Sequence, residues 1–311
     1  MPERSHNSRE RITRAVHSLQ GLSCGDAFGE RFFLHPEVAR SLIAQRAVPS
    51  PPWRYTDDTA MAVAITEILE EHGEIRQESL AENFGRTFLA DPHRGYGAAM
   101  HTLLPELASA PSAWKTTAPA LFKGGGSFGN GAAMRVAPLG AYFADDLAKL
   151  TEQAELSAVI THTHPEGVAG AIAVALAAAF AWRHTNSPNT PSDFLREVCE
   201  RTPESEVRRG LIKALALPTD ATVEAAVAAL GNGSNVSAQD TVPLSLWAAA
   251  FHLHDYEAAL WKTVSGLGDR DTTCAIVGGI VALSAGVENI PPSWIQSREP
   301  IAAWFLYPRP G

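Results

Sequence analysis

The sequence predicts an all-α protein, a single compact orthogonal helical bundle. Three observations carry this. Apolar residues recur at three- and four-residue steps through most of the chain. Strand-like alternation is scarce, and β-branched residues fall inside the helical patterns. Alanine is concentrated between Val168 and Ala181, where small side chains let helices approach closely. The 45% hydrophobic and 19% charged composition supplies a real core and excludes a disordered chain.

Taken in order, Ile12–Phe28 has the helical apolar spacing. Asp57–Glu71 reads as a helix start followed by Met61, Val63, Ile65, Ile68 and Leu69. Further helices are expected near Glu78–Leu89, Leu147–Ile160, Glu166–Arg183, Ser192–Glu200, Glu206–Leu215, Thr222–Leu230, Val242–His254, Tyr256–Val264 and Thr272–Val287. Gly/Pro loops are expected near Ala47–Trp53 and Ala118–Gly131. No linker or repeat divides the chain, so one domain over residues 9–311 is expected behind a mobile tail of residues 1–8. The apolar run Val168–Trp182 falls short of the ~20 residues a bilayer span needs and is expected to be a core helix.

The formal net charge of −9 argues against a broad nucleic-acid-binding surface. Local anion sites remain open, because helix N-termini and loop amides bind anions without net positive charge. Cys24, Cys199 and Cys274 have neither disulfide-framework nor metal-ligand spacing and suit a reducing cytoplasm. Met1–Thr13 shows no apolar segment of the secretory type.

Two carboxylate clusters stand at expected helix starts: Thr56-Asp57-Asp58-Thr59 and Asp269-Arg270-Asp271-Thr272-Thr273. Capping of the free helix N–H groups explains one or two residues in each. It does not need adjacent aspartates between threonines. If the fold brings the clusters together, four carboxylates share one site and oppose each other's ionisation. Mg²⁺ or Mn²⁺ relieves such repulsion through hard oxygen ligands. Asp26 lies towards the end of an apolar helix, where the dipole disfavours an acid, and this too hints at a site.

Gly124–Arg135 contains G-x-G-x-x-G, but neither a strand before it nor a parallel-sheet pattern after it. What survives is a loop that exposes backbone N–H groups and lets a ligand approach the main chain, or a plain turn. In Thr161-His162-Thr163-His164-Pro165, His162 is read as a polar ligand contact and His164 as structural. Asp91–Gly97 flanks an aromatic residue with glycines, which suits a ribose or base.

Together these segments resemble the ADP-ribosylglycohydrolase family. The resemblance rests on GLSCGDAFGE, YTDDTAMA, RGYG, GSFGNGAAMRVAPLG, THTHPEGVAGA and GDRDTTCAIVGG, in that order across roughly residues 15–287. It implies a metal-dependent hydrolase that cleaves the glycosidic bond between ADP-ribose and an acceptor, reversing ADP-ribosylation. It also implies a binuclear metal cleft holding two divalent cations, Mg²⁺ or Mn²⁺. Thr56, Asp57 and Asp58 match one ligand motif; Asp269, Asp271 and Thr272 match the other. Ser127, Gly129, Asn130 and Gly131 match the loop cradling the diphosphate and ribose. His162 matches a histidine near the phosphates, and Gly95 and Tyr96 a loop near the ribose. Many members carry a glutamate seven residues after the aspartate matching Asp26, where this chain has Phe33. Catalysis then falls to Glu30, Asp58 or Asp91: Glu30 reaches in as proton relay, or an activated water works with another acid such as Asp91. The implied partners are an ADP-ribosylated protein or other acceptor, with ADP-ribose as product and nucleic acid only as a modified substrate. A monomer without membrane association is expected. The alternative is a catalytically inactive ADP-ribose-binding protein, against which the full set of ligand positions argues.

Overall fold

The computed structural model describes residues 6–185 and 190–301, and among them there is no strand. The helices are α1 (His6–Glu30), α2 (Pro36–Ala44), α3 (Asp57–His72), α4 (Gln77–Ala90), α5 (Met100–Ser109), α6 (Trp114–Gly124), α7 (Gly131–Met134), α8 (Ala137–Tyr142) and α9 (Leu147–Ala158). They continue as α10 (Pro165–Arg183), α11 (Pro191–Arg201), α12 (Glu206–Ala216), α13 (Val223–Leu230), α14 (Ala238–Ala250), α15 (Tyr256–Ser265), α16 (Arg270–Ala285) and α17 (Pro292–Ser297). The all-α expectation holds. Of the expected N-terminal tail, residues 1–5 lie outside the described residues, and His6–Ser8 form the first turn of α1.

Helices α2, α5, α6, α7, α8 and α17 were not anticipated from periodicity. Helices α5 and α6 contain Pro105 and Pro119, which read as breakers in sequence. Helices α7 and α8 are one or two turns long, too short for a periodic signal. The expected loop Ala118–Gly131 is correspondingly shorter. Helical backbone persists beyond Pro119 and breaks at Leu121–Lys123, where Phe122 and Lys123 take left-handed φ values of 52° and 63°.

Helix α10 runs through the core, with every residue from Ala169 to Ala181 buried. It is apolar and long enough to cross a membrane by composition, yet 78% of that stretch is buried inside the protein. The pair α1 and α16 fixes the geometry of the site. Gly21, Gly25 and Gly29 recur at four-residue steps on α1. A Cβ there would lie 2.3 Å from Gly278 O, 2.1 Å from Cys274 O and 2.2 Å from Arg270 O respectively. The two backbones are therefore in direct contact and run antiparallel, and only glycine fits between them. This sets the C-terminal end of α1, bearing Asp26 and Glu30, against the N-terminus of α16. An aromatic cluster clamps that end: Phe28 stacks on Trp294 at 4.4 Å and meets Trp261 edge-on at 5.0 Å. Cys24, Cys199 and Cys274 are free and buried.

Candidate active site

Asp26 organises the first half of the site. It is fully buried, and its carboxylate accepts from the Thr56 and Thr59 amides at 3.0 and 3.1 Å and from the Thr56 hydroxyl at 2.8 Å. The Thr59 hydroxyl donates to it as well. Thus an acid from α1, not Thr56, caps the N-terminus of α3, and Thr56 makes no side-chain cap of its own. Burial pushes the Asp26 carboxyl up to about 6, with these hydrogen bonds pulling the other way.

The two carboxylates after Thr56 are thereby freed from capping. Asp57 is buried and its amide donates to Arg94 O at 2.8 Å. Burial first, and then Asp26, raise its carboxyl to about 8. Asp58 is buried with its Oδ2 3.0 Å from the Thr56 hydroxyl, while Oδ1 is buried without a hydrogen-bond partner among the described residues. Burial, followed by the charge of Asp271, holds the Asp58 carboxyl well above the usual range.

The second half stands at the start of α16. Asp269 occupies the N-cap position without capping and instead accepts from Asn130 Nδ2 at 2.7 Å. Asp271 Oδ1 accepts from the Thr272 amide at 2.8 Å, and burial, then Asp269, raise its carboxyl strongly.

The glycine loop closes the third side. The Gly129 amide donates to Ser127 Oγ at 3.2 Å, and Asn130 Nδ2 also reaches Thr241 Oγ1 at 3.0 Å. His162 lies behind this loop. His164 caps α10 by accepting from the Glu166 amide at 3.1 Å, which is the structural role read for it.

These elements enclose a cleft of about 430 Å³. From the sequence set it is lined by Asp57, Asp58, Gly95, Ser127, Gly129, Asn130, Gly131, His162, Asp269, Asp271 and Thr272. The remaining four lie behind or beside it. Thr56 is packed beneath, against Asp26. Tyr96 is buried against Phe88, and its hydroxyl has no hydrogen-bond partner among the described residues. Glu30 is at the end of α1; burial first, then Asp26 and more weakly Asp269, raise its carboxyl, with Arg31 opposing. Asp91 is outside the cleft lining and is held by Arg54 and Arg94, each at 3.2 Å. Periodicity and motif reading missed this because the ion pairs depend on where α4 ends.

Sequence reasoning also passed over Arg135, Phe122, Phe128 and Val236. Arg135 is fully buried yet lines the cleft. Its signal was a lone cation in the apolar run Ala132–Ala141. Phe122 and Phe128 line the mouth, both exposed, with ring centroids 6.4 Å apart. Val236, exposed at the rim, has a φ of 51°, a strained value for a β-branched residue.

As donors, the facing groups are hard oxygens, the kind Mg²⁺ and Mn²⁺ take. The unpartnered Asp58 Oδ1 and the mutually raised carboxyls show a site short of positive charge. The residues therefore fit divalent cations. Among the described residues, however, no three acidic, histidine or cysteine side chains converge as a ready metal cluster. The two carboxylate pairs line one cleft.

The site is thus a cleft lined by hard-oxygen side chains and a glycine loop within an all-α bundle. The chain belongs to the ADP-ribosylglycohydrolase family, whose model matches residues 7–306. It is 29% identical to human (Homo sapiens) ADP-ribosylhydrolase ARH3 over 93% of this chain and 90% of that one. It is 26% identical to the ADP-ribosyl-[dinitrogen reductase] glycohydrolase of Rhodospirillum rubrum, over 92% of this chain and 90% of the relative. A solved structure described as an ADP-ribosylglycohydrolase-related protein complex shares the fold, with a TM-score of 0.63, 22% identity and 93% of each chain covered.

Proposed function

We propose that this protein hydrolyses the glycosidic bond between ADP-ribose and an acceptor, reversing ADP-ribosylation with two divalent cations, Mg²⁺ or Mn²⁺. The observation that carries this reading is the facing of Asp57 and Asp58 against Asp269 and Asp271 across one cleft, with the glycine loop on its third side. Thr56, Asp57, Asp58, Asp269, Asp271 and Thr272 are the residues that would hold the cations. Bound there, a divalent cation neutralises the crowded carboxylates and acts as a Lewis acid towards ribose oxygens.

The chain's own groups do the rest. Ser127, Gly129, Asn130 and Gly131 cradle the diphosphate with loop amides and side chains. Phe122 and Phe128 offer aromatic faces to the base. Gly95, whose φ is 90°, brings backbone close to Asp57 and to the ribose next to the scissile bond. Glu30, within electrostatic reach of Asp26 and Asp269, is the proton relay. A carboxyl that keeps its proton to higher pH than usual suits the departure of the acceptor. The acceptor is an ADP-ribosylated protein side chain or another ADP-ribosylated group.

The test is incubation with arginine-, serine- and nucleic-acid-linked ADP-ribose, with Mg²⁺ or Mn²⁺ and with chelator, followed by chromatography of free ADP-ribose. Release from at least one linkage, abolished by chelator, is expected. Binding of ADP-ribose with no release from any linkage would make this an ADP-ribose-binding protein and sink the hydrolase reading.

A further inference from the structure

Thr161 is fully buried, and among the described residues its hydroxyl has two partners: Arg135 Nη2 at 2.9 Å and His162 Nδ1 at 2.7 Å. A guanidinium carries donors only, so the Thr161 oxygen accepts from Arg135. The hydroxyl's own proton then has one acceptor in reach, His162 Nδ1, and buried polar protons are spent where an acceptor exists. An Nδ1 that accepts is unprotonated, so the single proton of the neutral ring sits on Nε2.

That edge of the ring faces the glycine loop. A Cβ on Gly129 would lie 3.2 Å from Nε2, and one on Gly131 3.1 Å from it. Among the described residues none hydrogen-bonds Nε2, and His162 lines the cleft. The opposite end of the relay is anchored independently. Arg135 Nη2 also donates to Ser157 O at 3.2 Å, and the guanidinium lies 4.3 Å over the Phe84 ring. Burial, then the nearby Arg135, hold the His162 imidazole down to about 3, so the ring stays neutral.

We infer that Arg135 is a positioning residue: acting through Thr161, it locks His162 as the Nε2–H tautomer, which presents a donor to an anion on the glycine loop. With the opposite tautomer, Nε2 would turn a lone pair towards that anion and repel it. The identity of the anion as a diphosphate rests on the function proposed above; the tautomer does not.

The experiment is two-bond ¹⁵N–¹H correlation spectroscopy of the free, ¹⁵N-histidine-labelled protein, with the His162 signals assigned by their loss in His162→Gln. Wild type and Thr161→Ser are expected to show protonated Nε2 and bare Nδ1. Thr161→Val and Arg135→Met are expected to show a mixture of tautomers. Arg135→Lys serves if Arg135→Met does not fold, since the differently shaped side chain also loses the bond to Thr161. Calorimetric titration with ADP-ribose should show roughly tenfold weaker binding for Thr161→Val and rescue in Thr161→Ser. An Nδ1–H tautomer in wild type, or an unchanged Nε2–H tautomer in Thr161→Val or in folded Arg135 variants, overturns the inference. Failure of the wild type to bind ADP-ribose would instead count against the proposed function, and the spectra would still decide the tautomer.

Discussion

Asn130 Nδ2 donates to Asp269 Oδ2 at 2.7 Å, across 139 residues of chain. This one bond joins the glycine loop to the carboxylates at the start of α16. The loop and the carboxylates on that side of the cleft are thereby tied together.

The first prediction concerns pH. The Asp57 carboxyl sits at about 8 in the folded protein, against an ordinary value near 4 when unfolded. A group raised in this way favours folding fully below its unfolded value, and that advantage is lost as pH rises through the folded value. Asp26, raised to about 6, acts in the same direction. The cation-free protein should thus melt at a lower temperature at pH 8 than at pH 5. Each kcal/mol lost is worth roughly 1–2 °C for a chain of this size. Added Mn²⁺ should restore more stability at pH 8 than at pH 5. Melting curves in chelator and in Mn²⁺ give the answer; equal melting temperatures across this range in chelator would contradict it.

Replacing Asp271 by Asn removes one charge but leaves an oxygen to accept from the Thr272 amide, 2.8 Å away in the wild type. Repulsion with Asp58 and Asp269 falls. The variant should be more stable than wild type in chelator, gain less from Mn²⁺, and lose turnover by at least 10²-fold, as an order-of-magnitude figure for a lost charge-stabilising group. Retention of both full Mn²⁺ stabilisation and activity removes Asp271 from the ligand set.

Glycine at 131 is required by contact. A Cβ there would stand 2.9 Å from His162 Cε1. Gly124 and Gly126 carry positive φ, whereas Gly129 and Gly131 do not, so crowding is the operative constraint at both. Gly131→Val should displace the His162 ring and weaken ADP-ribose binding about tenfold or more, the effect of losing one charge-assisted hydrogen bond. Calorimetry on the folded variant would report it, and wild-type affinity would show that the ring has room to move.

Glu30 and Asp91 are separated by their surroundings. Asp91 is tied to Arg54 and Arg94, and Arg54 is well exposed, so Asp91→Asn should cost ~0–1 kcal/mol of stability and leave turnover near wild type. Glu30→Gln keeps the shape and removes the proton, and should lower kcat by about 10²–10⁴-fold with ADP-ribose still bound. Steady-state rates at saturating Mn²⁺ distinguish the two, and the reverse ranking would move the proton relay to Asp91.

The sequence alone carried the helical class, because apolar spacing is a local property. Helix α3, expected at Asp57–Glu71, runs Asp57–His72. It also determined the chemical content of the cleft, since the carboxylate pairs, the glycine loop and His162 are each contiguous in the chain. Tertiary structure decided how they are used. Capping was available in sequence as the account of one or two residues of the Thr56 cluster, but Asp26 on another helix supplies that cap, and Asp57 and Asp58 line the cleft. Asp91 looked available until two arginines claimed it. Gly21, Gly25 and Gly29 showed no role in the linear pattern, and it is their contact with α16 that sets Asp26 opposite Asp271. Arg135 read as one residue of a motif, and burial makes it the anchor of His162. Apart from Arg94, three residues from Asp91, the deciding partners lie tens to hundreds of residues away. Local propensity carries no information about such partners, and only close packing of the helices brings them within hydrogen-bond range.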